Sequence, residues 1–434
     1  MLELNTIYQI LKESQFMICT DSRSISDGAV FFALKGEKFN GNQFADEVLE
    51  RGASYAVIDE SFSDLYSDKK LVCRDVLATL QDLARLHRMT MKQCFVIGIT
   101  GSNGKTTCKE LLFSVLKNKD TCICTKGNLN NHIGVPLTIF QIQEDTKMAI
   151  IEMGANHPGE IDFLCSIADP DWAWITSIGK AHLEGFGSIE GVLKTKLELF
   201  QFVKAKKGRC FYNLDNDYLV SVYNNNELNN VEYSISFFEK TFALQDLKTD
   251  PSIHFILDHQ NSKIEIDSDL YGMHNLHNIL GVTRIAREFD VDWQTIQTGI
   301  KNYIPKNQRS EIVHWKSNTV YLDAYNANPS SMSMAIESFS KVTHPHKWII
   351  LGEMAELGQY SISEHEQLVA KAVGLNPEVL LLIGKNFSEV KSKGPTKFGS
   401  MEECKVYLNA LNPKDKMILI KGSRSNQLEK LIQD

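Results

Sequence analysis

Apolar positions along this chain fall into two kinds of run. Short continuous stretches bounded by glycine or polar turns read as buried strands, and longer stretches with a three-to-four spacing read as amphipathic helices. In the first 91 residues Leu4, Ile7, Ile10 and Leu11 keep helical spacing, AVFFALKG (29–36) reads as a strand, FADEVLERG (44–52) as a helix ending at glycine, and SYAVID (54–59) as a strand. Asp75 stands where it would cap a long helix through Met89. Two pieces, Thr20 to Arg23 and Lys35 to Gly41, carry the Asp, Ser, Asn and Gly of turns.

From about 92 to 308 strand and helix alternate, which implies a mainly parallel sheet with helices on both faces. FVIGI (95–99), MAIIEMG (148–154) and ITSIG (175–179) are the expected strands, with helices near 109–116, 188–203, 275–289 and 292–302. The polar section 224–268 holds short alternating runs (VEYSIS, IHFILD, KIEID) and predicts a small antiparallel excursion, and Pro305 marks a hinge or linker. Beyond Arg309, TVYLDA, KWIILG, VLLLIG and MILIKG alternate with helices around 329–341, 363–373 and 401–411. Four apolar strands with three crossovers make a doubly wound domain. The expected fold class is therefore α/β with three domains. A small α/β domain spans 1–91, a central phosphate-loop domain with a mainly parallel sheet spans 92–308, and a Rossmann-like domain spans 309–434.

Composition narrows the function classes. A length of 434 residues agrees with about three domains, and a net charge of −8 disfavours wholesale nucleic-acid binding. Nine scattered cysteines contain no C-x-x-C pair, so neither a zinc site nor a disulfide framework is suggested, and reduced thiols fit the cytoplasm. The first residues lack a basic segment followed by an apolar run, and no stretch of 18 apolar residues occurs, so neither export nor membrane insertion is expected.

The chemistry gathers around FVIGITGSNGKTT (95–107), where an apolar strand empties into a glycine-rich turn and then a helix. That order is what a phosphate-binding loop requires. Gly101 and Gly104 let backbone N–H groups approach an anion, Ser102, Asn103 and Thr107 complete the turn, Lys105 adds a mobile charge, and the Thr106 hydroxyl can ligate magnesium. The general pattern places a glycine five residues before Gly104, and here that residue is Ile99. ATP with Mg2+ is the expected ligand. Glu152 ends an apolar strand, a position from which a carboxylate reaches magnesium in triphosphate enzymes, although a lone glutamate there is also compatible with simple solvation. Ligands of such sheets collect beyond the carboxyl ends of the strands, so Glu152, His182 and the phosphate loop can converge.

The chain resembles the Mur ligase family, and most closely its MurF branch. The resemblance is carried by TGSNGKTT (100–107), GNLNNHIGVPLT (127–138), EMGANHPGEI (152–161), GKAHLEGFGSIEGVLKTKLELF (179–200), GMHNLHN (272–278), LDAYNANPSSM (322–332), LGEMAELG (351–358) and KGSRS (421–425). It implies an ATP-dependent ligase that joins D-alanyl-D-alanine to UDP-N-acetylmuramoyl-tripeptide in peptidoglycan precursor synthesis, working as a cytoplasmic monomer. It also implies roles. Lys105 holds the β- and γ-phosphates, Thr106 and Glu152 hold one magnesium ion, and His182 with a carbamate on Lys196 holds a second. A carbamate turns the lysine from a cation into a bidentate anion suited to a hard metal. Asn275 and Asn278 stand on the adenine side, while Arg309 and Asp323 reach the triphosphate and ribose. Ser22 and Arg23 match the uridine-diphosphate site. Asn130, Asn131, Tyr325, Asn326 and Asn328 are candidates for the peptide and dipeptide pockets. Two positions depart from the pattern: Asn42-Gln43 follow Gly41 where relatives carry a histidine, and Gln308 precedes Arg309 where relatives often have glycine. The competing readings are a family member adding a single amino acid, a folylpolyglutamate-type ligase, a phosphate-loop ATPase or kinase, and a non-catalytic nucleotide-binding scaffold.

Overall fold

The structure is a computed structural model that describes residues 3–62, 67–223, 230–260, 262–306, 308–392 and 394–433. The chain forms two compact units, one from Met1–Gly98, Thr121–Gly154 and Glu160–Asp171, the other from Ile99–Asp120, Ala155–Gly159 and Trp172–Asp434.

In the first unit, strands Ile18–Cys19, Val30–Phe32, Tyr55–Asp59 and Lys70–Cys73 lie side by side in that order, all parallel. Phe31, Val48, Ala56 and Ile58 fill one core. Helix Leu4–Glu13 buries Ile7, Tyr8 and Leu11, three of the positions that its spacing singles out or flanks. The Asp75 carboxylate accepts from Ala78 N at 2.7 Å and starts helix Val76–Thr90. This unit also holds strands Met148–Glu152 and Cys122–Cys124, which pair in parallel. The expected 44–52 helix is shorter than its pattern, a 3-10 turn at Gly41–Phe44 leading into Ala45–Glu50. The long 29–36 strand is also interrupted: Val30–Phe32 belongs to the sheet, whereas Lys35–Gly36 turns into a hairpin with Phe39–Asn40.

In the second unit one sheet orders Asn230–Tyr233, Cys210–Asn213, Trp172–Ile175 and the end of Phe95–Thr100. Helix Lys105–Leu116 packs against helices Met273–Glu288 and Trp293–Lys301. The last sheet runs Glu311–Trp315, Asn318–Asp323, Met417–Lys421, Lys347–Gly352, Val379–Ile383, Thr396–Phe398, with only the first strand antiparallel. Alternate residues of its central strands feed two cores. Tyr321, Ile349, Leu351 and Leu419 face one, and Val320, Leu322, Ile350 and Ile418 face the other. Helices on both faces explain why these strands read as continuous apolar runs. No helix among the described residues is long and apolar enough to cross a membrane.

Three expectations need correction. The strand placed at 175–179 lies at Trp172–Ile175, because Thr176 and Ser177 leave the sheet to bond another loop. In the section 224–268, Asn230–Tyr233 joins the parallel sheet beside Cys210–Asn213, and Ser234 caps a helix, Ile235–Phe242. Only Leu244–Lys248, Ile253–His259 and Ser262–Ser268 form the antiparallel excursion, and residues 224–229 and 261 lie outside the described ones. The C-terminal sheet has two strands more than the four expected, both at its edges.

His87 is 0% exposed, packed among Tyr8, Phe16 and Phe140. Its Nε2 lies 2.9 Å from Ile142 O, a partner that can only accept, so Nε2 carries a proton, and Nδ1 lies 3.0 Å from Tyr8 OH. Burial pushes its pKa below the ordinary value, opposed by the bond to Ile142. Because the folded value is the lower one, the unfolded chain binds the extra proton below about pH 6.5, so His87 costs stability as pH falls from there through the folded value and has no effect above it. Acid unfolding followed by fluorescence should show a wild-type loss that His87→Gln lacks, with a slope difference of up to about 1.4 kcal/mol per pH unit. Parallel curves for the two proteins would contradict it.

Candidate functional site

The backbone leaves strand Phe95–Thr100 at Gly101 (φ 148°), where an added Cβ would run into Thr176 Oγ1 and lie 3.1 Å from Ser177 N. Gly104 (φ 81°) sits at the cap of helix Lys105–Leu116 with no side-chain cap, and a Cβ there would lie 2.8 Å from Asn278 Oδ1. Only glycine meets both demands, positive φ and close neighbours. The loop is fastened to the segment after Trp172–Ile175. Ser102 N donates to Ser177 O at 2.8 Å, Asn103 N to Ser177 Oγ at 3.1 Å, and Thr176 Oγ1 to Asn103 O at 2.6 Å. Ser102 Oγ bonds Gly179 O and N, each at 3.0 Å. Lys105 Nζ curls back to Gly101 O at 2.6 Å, and Thr106 and Thr107 are buried at the first helical turn.

Behind the loop runs a chain of buried amides. Cys108 Sγ donates to Asn278 Oδ1 (3.2 Å), Asn278 Nδ2 to Asn275 Oδ1 (3.0 Å), and Asn275 Nδ2 to Tyr271 O (3.0 Å). The two asparagines thereby tie helix Met273–Glu288 to the phosphate-loop helix.

His182 stands at the N-cap of the short helix Leu183–Phe186 with φ 50°, and its Nδ1 bonds the Glu356 carboxylate. That bond holds the Glu356 carboxyl below its usual pKa. Glu356 also has a positive φ, 60°, and its carbonyl accepts from Glu184 N at 3.2 Å. Two non-glycine residues in this sparsely populated region, facing each other, mark a place the surroundings over-determine. Lys196, on helix Ile189–Ala205, is 2% exposed, with Nζ 3.5 Å from Ala155 O and 5.4 Å from the centre of the Phe186 ring. His182 meets the same ring edge-on at 6.2 Å. Phe186 therefore brings His182 and Lys196 to one place.

Residues after 308 close on this cluster within the same unit. Asn328 caps helix Pro329–Ser340 and its Nδ2 donates to Asn103 Oδ1 at 2.9 Å. Lys180 N donates to Ser330 Oγ at 2.8 Å, and Lys180 Nζ to Glu364 at 2.6 Å. Arg309 stacks on the Tyr325 ring at 3.8 Å, with Arg424 5.9 Å from the same ring. Asp323 is paired with Lys421, whose Nζ lies 2.6 Å away and whose side chain is 2% exposed. Asn326 is exposed, its side chain turned back onto Ala327 N.

The other expected site residues belong to the first unit. Glu152 is 1% exposed at its strand end, and Asn130 Nδ2 donates to its Oε1 at 2.8 Å. Asn131 Oδ1 accepts from Ile133 N at 3.1 Å and Gly134 N at 2.9 Å, just before helix Gly134–Ile139. Ser22 and Arg23 open an exposed 3-10 turn that Arg51 holds through both their carbonyls. Arg23 clamps Asp21 and keeps its carboxyl down at about 2. Asn42, the departure from the histidine pattern, is buried and bonded to Asp59 through Nδ2 (2.8 Å) and Oδ1 (2.9 Å).

Sequence reasoning missed Thr176, Ser177, Glu356, Glu364 and Lys421. Glu356 and Lys421 lay inside quoted motifs, LGEMAELG and KGSRS, and a charged residue in a glycine-flanked turn was the available signal. Nothing local pointed to the others, whose partners are far away in sequence.

Three family models match in order along the chain: the catalytic domain of the Mur ligase family over 16–88, the Mur ligase middle domain over 99–286, and the glutamate ligase domain of Mur ligases over 308–424. A UDP-N-acetylmuramoyl-tripeptide–D-alanyl-D-alanine ligase from Buchnera aphidicola is 32% identical, the match covering 96% of this chain and 91% of the relative. Among solved structures, MurF from Acinetobacter baumannii superposes with a TM-score of 0.85 at 27% identity, over 98% of this chain and 97% of that one. MurF from Thermotoga maritima in complex with ADP gives 0.83 at 27%, over 100% and 98%. With a three-domain match over nearly its whole length, the chain belongs to the Mur ligase family and stands closest to MurF.

Proposed function

We propose that this chain is an ATP-dependent ligase that joins D-alanyl-D-alanine to the terminal carboxylate of UDP-N-acetylmuramoyl-tripeptide, releasing ADP and phosphate. The observation that carries this reading is the phosphate loop bonded to the very segment that leads into His182, in a chain matched end to end by ligases of that name. The working domains are 1–91 for the nucleotide-sugar, 92–308 for ATP and 309–434 for closure and the dipeptide, in a cytoplasmic monomer.

A carboxylate resists nucleophiles because it is already negative. In the first step its oxygen attacks the γ-phosphorus of ATP, an O–P bond forms, the β,γ-bridging bond breaks, and ADP leaves with the electron pair. The product is an acyl phosphate. The amine of the dipeptide then attacks the carbonyl carbon, loses a proton, and expels phosphate from the tetrahedral intermediate. Lys105, relinquishing Gly101 O, would balance charge on the β- and γ-phosphates, while the N–H groups from Ser102 to Thr107 surround them. Arg309 and Asp323 would reach the triphosphate and ribose, and Asn275 and Asn278 would shape the adenine side from beneath. Ser22 and Arg23 would serve the uridine diphosphate. Asn130, Asn131, Tyr325, Asn326 and Asn328 would border the peptides. Water must stay out, since it would hydrolyse the acyl phosphate. The Asn328–Asn103 and Lys180–Glu364 bonds are the contacts through which the last domain would cover the loop.

The resemblance to the family implies hard divalent cations, which the Thr106 hydroxyl and the Glu152 carboxylate would each help to hold, with His182 and a carbamate on Lys196 for a second ion. Bound magnesium would reduce the negative charge that repels the incoming carboxylate. Lys196 is 2% exposed, and a desolvated lysine amine can add carbon dioxide to give a carbamate. Glu356 would fix the His182 tautomer, drawing the proton to Nδ1 and leaving Nε2 to ligate.

Two outcomes follow. ADP should appear rapidly only when the UDP-linked tripeptide and D-alanyl-D-alanine are both present. Comparable turnover with single amino acids would assign another branch of the family, and turnover with ATP alone would make the protein an ATPase. In Mn2+ titrations with a non-hydrolysable ATP analogue, wild type should bind two ions and Lys196→Ala one, while Glu356→Ala should weaken one site by about 10- to 100-fold. Identical isotherms for all three proteins would defeat the metal assignment.

A further inference from the structure

Strand Lys347–Gly352 runs out into the segment 353–357, which carries Glu356 to His182. Its first residue is tied to its neighbours through the main chain: Glu353 N donates to Ile383 O at 2.9 Å, and Glu353 O accepts from Asn426 Nδ2 at 3.0 Å. The next residue, Met354, donates its N–H to a side chain instead, to Nε2 of His365 at 3.0 Å. His365 lies on helix Ser361–Gly374 and is 0% exposed. We infer that His365 is a positioning residue of the ligase, holding Met354 so that this segment aims the Glu356 carboxylate at His182. The inference rests on the ligase reading above and adds a residue that the sequence did not nominate.

The state of the ring follows from its partners. Ser361 O, 2.7 Å from Nδ1, can only accept, so Nδ1 carries a proton. Met354 N–H can only donate, so Nε2 offers its lone pair. The imidazole is therefore neutral and in one tautomer, with both nitrogens engaged by main-chain groups. Phe387 meets it edge-on with the ring centres 4.9 Å apart, which fixes its plane. Burial lowers its pKa, against the Ser361 bond and the charges of Glu353 and Glu364, so the acceptor stays free of a proton at neutral pH. A ring so enclosed meets no substrate. What it does is hold one main-chain segment against another.

The bond acts over a short reach. Two residues, at most about 7 Å of chain, lie between Met354 and Glu356. The Met354 and Leu357 side chains share a core with Leu183, the residue after His182, so both sides of the His182–Glu356 bond rest on the same packing. Beyond it, Glu356 O accepts from Glu184 N at 3.2 Å and Tyr360 OH donates to Gly187 O at 3.1 Å. Glu356 keeps a φ of 60°, which a residue other than glycine holds only where its surroundings compel it. The His365 bond supplies that constraint from the N-terminal side. Once it is lost the main chain from 353 to 356 can relax, and a misplacement of about 1 Å in a positioning group costs about 100-fold in rate.

The test uses the full-length protein with His365→Leu, His365→Gln, Glu356→Ala and the double variant Glu356→Ala/His365→Leu, each below its melting temperature. Steady-state ligation and Mn2+ binding in the presence of a non-hydrolysable ATP analogue are the two readouts. His365→Leu should lower kcat by about 10- to 100-fold with the KM for ATP unchanged, and should weaken the same Mn2+ site that Glu356→Ala weakens. His365→Gln, whose amide offers both a donor and an acceptor, should retain most of both. In the Glu356→Ala background the leucine should cost less than about threefold, because the group it displaces is already gone. Should His365→Leu not fold, His365→Asn, whose amide falls short of Met354, takes its place. Wild-type kcat and Mn2+ binding in His365→Leu would overturn the inference and leave the ligase reading standing. An equal loss with and without Glu356 would also overturn it, since the histidine would then act on the fold at large. If wild type does not ligate the dipeptide, the ligase reading fails, and the Mn2+ isotherms alone decide whether His365 acts through Glu356.

Discussion

A loop that wraps an anion with its backbone must be held open by something other than the anion. Here the work falls to Thr176, Ser177 and Gly179, which give up regular sheet bonding and instead fasten Ser102 and Asn103 from the far side. The constraint runs in both directions. Gly101 has no room for a Cβ because Thr176 is so close, and the strand Trp172–Ile175 stops where it does because its continuation is needed by the loop. The same continuation then delivers Lys180 and His182, so the geometry of the loop fixes where the histidine stands. Loop, histidine and enclosed lysine are one construction rather than three sites.

The C-terminal residues meet this construction through polar, partly exposed contacts. Lys180–Glu364, Asn328–Asn103 and Tyr360 to Gly187 O are of this kind. Exposed pairs contribute about 0 to 1 kcal/mol each. A handful of them can hold a closed arrangement without making it permanent, which a ligase that admits three substrates and releases three products requires. The His182–Glu356 bond also reaches a proposed metal ligand, so that carboxylate orients the histidine.

Much of this was legible in the residues. The phosphate loop, the Asp75 cap and the continuous apolar strands 347–352, 379–383 and 417–421 announce themselves because local pattern and final environment agree. Where they failed, a distant partner had intervened. ITSIG has strand composition, yet tertiary bonds to the loop take Thr176 and Ser177 out of the sheet. Edge strands such as Thr396–Phe398 and Glu311–Trp315 are short or half-exposed and lack an apolar run. Glu356 could not be matched to His182, more than 170 positions earlier, by any periodicity.

The central claim is that this one pocket moves the terminal phosphoryl group of ATP onto a carboxylate before the amide forms. Labelling the terminal carboxylate of the UDP-linked tripeptide with 18O and recording the 31P spectrum of the released phosphate tests it most directly. An acyl phosphate requires one oxygen of the labelled carboxylate to leave with each phosphate, so the fraction of the phosphate resonance displaced by the isotope shift should equal the enrichment. Unlabelled phosphate formed alongside new amide would contradict the account.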